Sequence, residues 1–183
     1  MFECARRLHL AGASHVIVAC NTAHASEIFS EYSKMVEDRL DGLKIINMLK
    51  VCAESNRKFK RIGLLATLGT HQSKVYHEYF DDKNFELLEP CQKGQESVHE
   101  AIANESFGIK AHSHDIKPQA IDIISSEIVK LVDRGAEAVI LGCTELPLAV
   151  KIEDFKVPII DPALVAARKL VEMIAPEKLI ELI

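Results

Sequence analysis

Two short segments carry the residues best suited to chemistry: Cys20-Asn21-Thr22-Ala23-His24 and Gly142-Cys143-Thr144-Glu145-Leu146-Pro147. Each sets a cysteine at the end of an apolar run, Val16-Ile17-Val18-Ala19 before the first and Ala138-Val139-Ile140-Leu141 before the second. Each run follows a helical stretch closed by glycine, through Ala11-Gly12-Ala13 and Arg134-Gly135-Ala136. The order helix, glycine, buried strand, cysteine with a polar neighbour, helix is therefore written twice. Two thiols repeated at strand tips could meet across one site. A thiolate on one side of a carbon could take its proton while a thiol on the other side returns one. That is racemisation by general acid–base catalysis, with no cofactor. Asn21, Thr22 and Thr144 would offer amide and hydroxyl groups to a substrate carboxylate.

The elements that must position these residues alternate. Apolar, β-rich runs lie at 16–19, 45–46, 62–66, 85–88, 138–141 and 157–160. Helical periodicity fills 24–37, 49–58, 73–80, 119–133 and 162–174, with Ile121, Ile124, Ile128, Leu131 and Val132 on one stripe of the fourth. Short apolar strands separated by helices imply parallel sheets with helices on both faces, an α/β fold. Gly12, Gly42, Gly63, Gly69 and Gly135 fall at expected turns or strand ends. In such a sheet ligands bind beyond the carboxyl ends of the strands, where Cys20 and Cys143 are both expected. Helices starting near His24 and Thr144 would turn their positive ends to that cleft, lowering a thiol's pKa from about 8.5 toward neutrality. The other reading of each cysteine is a small buried residue ending a strand; the repeated context favours chemistry.

Length and composition bound the rest. The chain has 183 residues, 48% of them apolar and 27% charged, enough to bury a core. Its net charge of −5 argues against a nucleic-acid partner. The basic run Arg57-Lys58-Phe59-Lys60-Arg61 is expected as a solvated connection. Five cysteines, widely spaced and without a CxxC pair, make neither a disulfide framework nor a zinc site. No apolar run approaches the roughly 18 residues of a membrane span, and a reducing cytoplasm is the expected location. Two lobes are expected: residues 1–58, with 162–183 packing back on them, and residues 59–161. The first shows two strands against four in the second, so if the lobes are duplicates it lacks about two β-α units. The chain opens on an amphipathic helix (Phe2, Ala5, Leu8, Leu10) with no strand before it.

These motifs resemble the aspartate/glutamate racemase superfamily, which works without pyridoxal phosphate. The resemblance covers nearly the whole chain, through the two cysteine segments, Gly63-Leu64-Leu65-Ala66-Thr67-Leu68-Gly69-Thr70, Gly108-Ile109-Lys110 and Pro158-Ile159-Ile160-Asp161. Glutamate racemases usually carry histidine where this chain has Glu145, so it looks more like the aspartate racemase branch. The resemblance implies two pseudosymmetric lobes with Cys20 and Cys143 as the two bases. It places Asn21, Thr22 and Thr144 at the substrate's α-amino and α-carboxylate end, and Thr67, Gly69 and Thr70 along the cleft at a helix start favourable to an anion. Lys110 matches a lysine that meets the acidic side chain. The expected activity is interconversion of L- and D-aspartate, or of a related acidic amino acid. Family members open with a strand and a Gly-Gly-Met-Gly-like loop and supply an arginine, none of which is present here. The first lobe is therefore expected to be incomplete, with a homodimer covering its exposed apolar surface. The alternatives are a shortened member acting as a binding or interaction protein, and related chemistry such as maleate isomerisation or decarboxylation.

Other residues read more plainly. His112-Ser113-His114-Asp115 is expected as a solvated loop rather than a metal site. His24 either tunes Cys20, orients Glu145 or packs locally. Glu145 either holds the Thr144 turn, keeps His24 charged or is a first-turn helix carboxylate. Cys4, Cys52 and Cys91 have no partner motif.

Overall fold

The computed structural model describes residues 1–80 and 85–180. The elements run α1 (Phe2–Leu10), β1 (His15–Ile17), α2 (Ser26–Arg39), β2 (Lys44–Ile46), α3 (Met48–Ser55), β3 (Arg61–Ala66), α4 (Leu68–Ser73) and α5 (Val75–Phe80). They continue with β4 (Glu86–Leu88), α6 (Gln92–Ala103), α7 (Pro118–Asp133), β5 (Ala138–Gly142), β6 (Ile159–Ile160) and α8 (Pro162–Ile174). The fold is α/β, with two parallel sheets flanked by helices. One sheet pairs β1 with β2, Val16 opposite Ile45. The other has the order β4-β3-β5-β6, with Gly63 opposite Val139 and Leu65 opposite Leu141. The two sheets correspond to two lobes.

The apolar runs of β3 and β5 have a direct physical cause. Successive side chains point to opposite faces, and both faces are covered. Leu65, Val139 and Leu141 pack with Ile102 of α6 and Ile124, Ile128 and Leu131 of α7. Ile62, Leu64, Ala138 and Ile140 pack on the other side with Leu49 of α3, Tyr76 of α5 and Ala166 of α8. Each fully buried leucine or isoleucine contributes about 1.5–3 kcal/mol, so this sheet is the stable centre of the chain. A smaller cluster, Ala5, Val16, Tyr32, Val36, Leu40 and Leu43, joins α1 and α2 to β1 and β2.

Several expected elements differ in extent. The helix expected over 73–80 is α5, which starts at Val75; the separate helix α4 precedes it and ends at Lys74, whose φ of 50° puts it in the left-handed region. The strand expected over 157–160 is reduced to Ile159–Ile160, because Pro158 has no N–H to give and contributes only its carbonyl, to Val139 N at 2.9 Å. Helix α6 is not expected from the sequence. Its buried positions Val98, Ala101 and Ile102 have helical spacing, but Gly94 lies near its start and weakens the pattern. That glycine is needed for packing: a Cβ there would meet Glu127 Oε2 at 2.6 Å and Pro90 Cβ at 2.9 Å. The buried stripe of α7 is Ala120, Ile124, Glu127, Ile128 and Leu131, rotated so that Ile121 is 36% exposed. Gly63 lies inside β3 rather than at a strand end, and a Cβ there would meet Leu131 Cδ1 and Val139 Cγ2 at 3.1 Å each. The last three residues of the segment 162–183 lie outside the described residues. No helix among the described residues is long and apolar enough to cross a membrane.

Candidate active site

The first thiol follows β1 by three residues. Val18 O accepts the Cys20 N–H at 2.9 Å, and residues Thr22–His24 form a single 3₁₀ turn before α2 begins at Ser26. Cys20 is exposed while its neighbour Asn21 is buried. The Tyr76 hydroxyl donates to Asn21 Oδ1 at 2.6 Å, tying the first motif to α5. Thr22 Oγ1 lies 3.1 Å from Thr70 Oγ1, which lies 3.1 Å from Thr67 Oγ1, so three hydroxyls form a chain from the first motif to the turn after β3.

The second thiol directly follows β5. Gly142 lets the strand end close against β3: a Cβ there would come within 2.8 Å of Leu64 Cδ1 and 3.0 Å of Leu65 O. Cys143 is consequently buried. Its thiol donates to Glu145 Oε2 at 2.8 Å, the Thr144 hydroxyl donates to the same oxygen at 3.1 Å, and Lys110 Nζ stands 3.7 Å from Oε1. Burial, and then the facing Glu145 carboxylate, push the Cys143 thiol up to about 12. Partial burial raises the Glu145 carboxyl, but the thiol hydrogen bond and the Lys110 charge outweigh it and hold the group below its ordinary value. Cys143 is thus a protonated thiol beside a carboxylate.

This corrects the expected thiolate. The segment after Cys143 is not a helix but a turn followed by the 3₁₀ turn Leu146–Leu148, which supplies no macrodipole, while burial and Glu145 act in the opposite direction. Glu145 does not keep His24 charged either: burial lowers the His24 pKa, and its ring is engaged elsewhere.

Cys20, Asn21, Thr22, Thr67, Thr70, Lys110, Cys143 and Thr144 line one cavity of about 150 Å³, together with Gly142 and Glu145. That is space for about five waters, the scale of a small metabolite. Of the expected site residues only Gly69 is absent from this lining, because it sits one residue before Thr70 in α4, turned about 100° away around the helix. The expected open N–H groups at that helix start are partly used: Thr67 Oγ1 accepts the Thr70 N–H at 3.3 Å. Lys110 is brought in by α6, since Ala101 O and Ile102 O near the end of that helix accept the N–H groups of Ile109 and Lys110 at 2.9 and 3.0 Å. Among the described residues, no group of three or more His, Cys, Asp and Glu is placed to hold a metal ion.

Residues 1–170 match the Asp/Glu/Hydantoin racemase family. The chain belongs to this family. A glutamate racemase of Thermoanaerobacter sp. (strain X514) is 30% identical over 159 residues, covering 81% of this chain and 52% of its own length. The chain thus spans about half the length of the curated relatives it matches. An aspartate racemase homologue from Pyrococcus horikoshii OT3 superposes with a TM-score of 0.72 at 28% identity, covering 94% of this chain and 71% of that one. Picrophilus torridus aspartate racemase gives 0.67 at 24% identity, covering 92% and 65%. The last likeness shows the fold alone.

Proposed function

We propose that this chain carries a cofactor-independent amino-acid racemase site that interconverts L- and D-aspartate, or a related acidic amino acid, between Cys20 and Cys143. The observation that carries this reading is the placement of both thiols on one small cavity, with a carboxylate bonded to one of them. Cys20 as thiolate removes the α-proton, the electron pair is held at the α-carbon and its carboxylate, and Cys143 donates its S–H proton to the opposite face. The other hand of substrate runs the same steps in reverse, and the thiols exchange protonation states. The state of Cys143 in the free site makes it the acid of the first turnover. Asn21, Thr22 and Thr144 hold the α-amino and α-carboxylate end. Lys110 meets the distal carboxylate, leaving Glu145 as it does so, while Thr67 and Thr70 line the remaining wall. The proposed organisation is a lobe of residues 1–58 with the C-terminal segment and a lobe of residues 59–161, the cavity lying between their motifs.

The test is solvent-deuterium exchange at the α-carbon of L- and D-aspartate and glutamate, with Cys20→Ser and Cys143→Ser. Exchange of both hands in the unmodified protein, lost or confined to one hand in each variant, supports the two-base reading. Full-rate exchange in both single variants, or none in the unmodified protein, overturns it.

A further inference from the structure

Cys20 is exposed and sits on a loop, yet two-base chemistry requires it to face Cys143 within a fraction of an ångström. Something must hold it from behind. His24 is fully buried, and its two ring nitrogens are both used. Nε2 accepts the backbone N–H of Met48 at 3.2 Å, which fixes that nitrogen as the lone-pair side. The proton therefore resides on Nδ1, which donates to the carbonyl of Cys20 at 2.9 Å. Phe29 stacks on the ring with centroids 4.8 Å apart. Met48 opens α3, and its N–H is one of the donors that no intrahelical carbonyl can serve. Met48 itself is fully buried, and α3 packs with β3, α5 and α8.

We propose that His24 is the positioning residue for Cys20: its neutral ring ties the Cys20 carbonyl to the start of α3 and so to the four-stranded sheet that carries Cys143. The role rests on the proposed reading of Cys20 as a reacting thiol, but the tie itself is a property of the free protein. The Cys20 carbonyl also accepts the Ala23 N–H at 3.2 Å, closing the 3₁₀ turn, so the imidazole N–H is the second bond on the same oxygen and the one that leaves the local chain. A charged ring could not serve, because protonating Nε2 would set two donors, ring and Met48 N–H, against each other. Burial keeps the ring neutral.

Two substitutions separate the two bonds. His24→Asn keeps a donor near the Nδ1 position for Cys20 and loses the acceptor for Met48. His24→Gln keeps an acceptor near the Nε2 position for Met48 and loses the donor to Cys20. Amide hydrogen exchange of the peptide spanning 20–24 is read first, with the β3 and β5 peptides as the measure of the fold. In His24→Gln amide exchange at 20–24 rises about tenfold and kcat for α-proton exchange falls about tenfold, with KM changed less than about twofold. His24→Asn breaks the tie at its α3 end, so exchange at 20–24 again rises and kcat again falls, each by about threefold or more, and the Met48 amide also exchanges faster. Parent-like exchange at 20–24 in either variant, or a rise there matched by the β3 and β5 peptides, overturns the assignment. An unmodified protein that exchanges no amino-acid α-proton would defeat the racemase reading alone; amide exchange would still decide the tie.

Discussion

The Cys143 thiol donates a hydrogen bond of 2.8 Å to the Glu145 carboxylate, only two residues away, and this contact sets the protonation of the buried half of the site. The backbone makes it possible: Glu145 has φ −82° and ψ −28°, so the chain turns back on itself after β5. Glu145 also shares its oxygens with Thr144 and Lys110. One carboxylate therefore links the acid of the proposed reaction to the cation proposed to bind the substrate.

Replacing Glu145 by Gln removes a negative charge that disfavours the Cys143 thiolate. The midpoint for alkylation of Cys143 should fall from about 12, yet stay above the ordinary thiol value because burial is unchanged. The measurement is the pH dependence of alkylation in protein whose Cys4, Cys20 and Cys91 are replaced by Ser. In protein that keeps Cys20, the pH profile of α-proton exchange should move down with it. An unmoved midpoint would show that the thiol does not feel the carboxylate.

A second pair governs acid stability. His71 Nδ1 lies 2.7 Å from Glu89 Oε1, and this hydrogen bond holds the Glu89 carboxyl below its ordinary 4.5. A carboxyl depressed in the folded state contributes stability that is full above its unfolded pKa and is lost as pH falls through the folded value. Unfolding free energy should therefore decline below about pH 4.5, and Glu89→Gln should flatten that decline. At neutral pH the substitution should cost about 1–2 kcal/mol, since a charge-assisted bond to a buried ring is lost from a partly exposed acid. Urea denaturation at pH 7 and pH 4 measures both effects.

Two glycines make a matched pair. Gly94→Ala places a Cβ 2.6 Å from Glu127 Oε2 and should destabilise by about 1–3 kcal/mol through overpacking of α6 on α7. Gly69→Ala meets nothing within 4 Å inside α4 and should stabilise by about 0.5–1 kcal/mol. Because Gly69 does not line the cavity, its variant should leave proton exchange unchanged. Thermal unfolding of the two variants side by side checks the sign of each.

The sequence by itself determined the alternation of strands and helices and the location of both thiols just beyond strand ends. These are local signals: apolar runs of strand length, helical periodicity, and glycines that close helices at Gly12 and Gly135, where φ is 91° in both. The two cysteine segments supply most of the cavity's lining, and Thr67, Thr70 and Lys110 are expected there only from the family resemblance. Helix α6 escaped because Gly94 serves a partner helix rather than its own, and with it escaped the reason Lys110 reaches the site. Only the tertiary structure decided that Cys143 is protonated, that Glu145 rather than a helix end faces it, and that His24 binds backbone from two separate segments. Desolvation and side-chain hydrogen bonding depend on how the backbone turns and which surfaces meet, and no spacing along a chain encodes that.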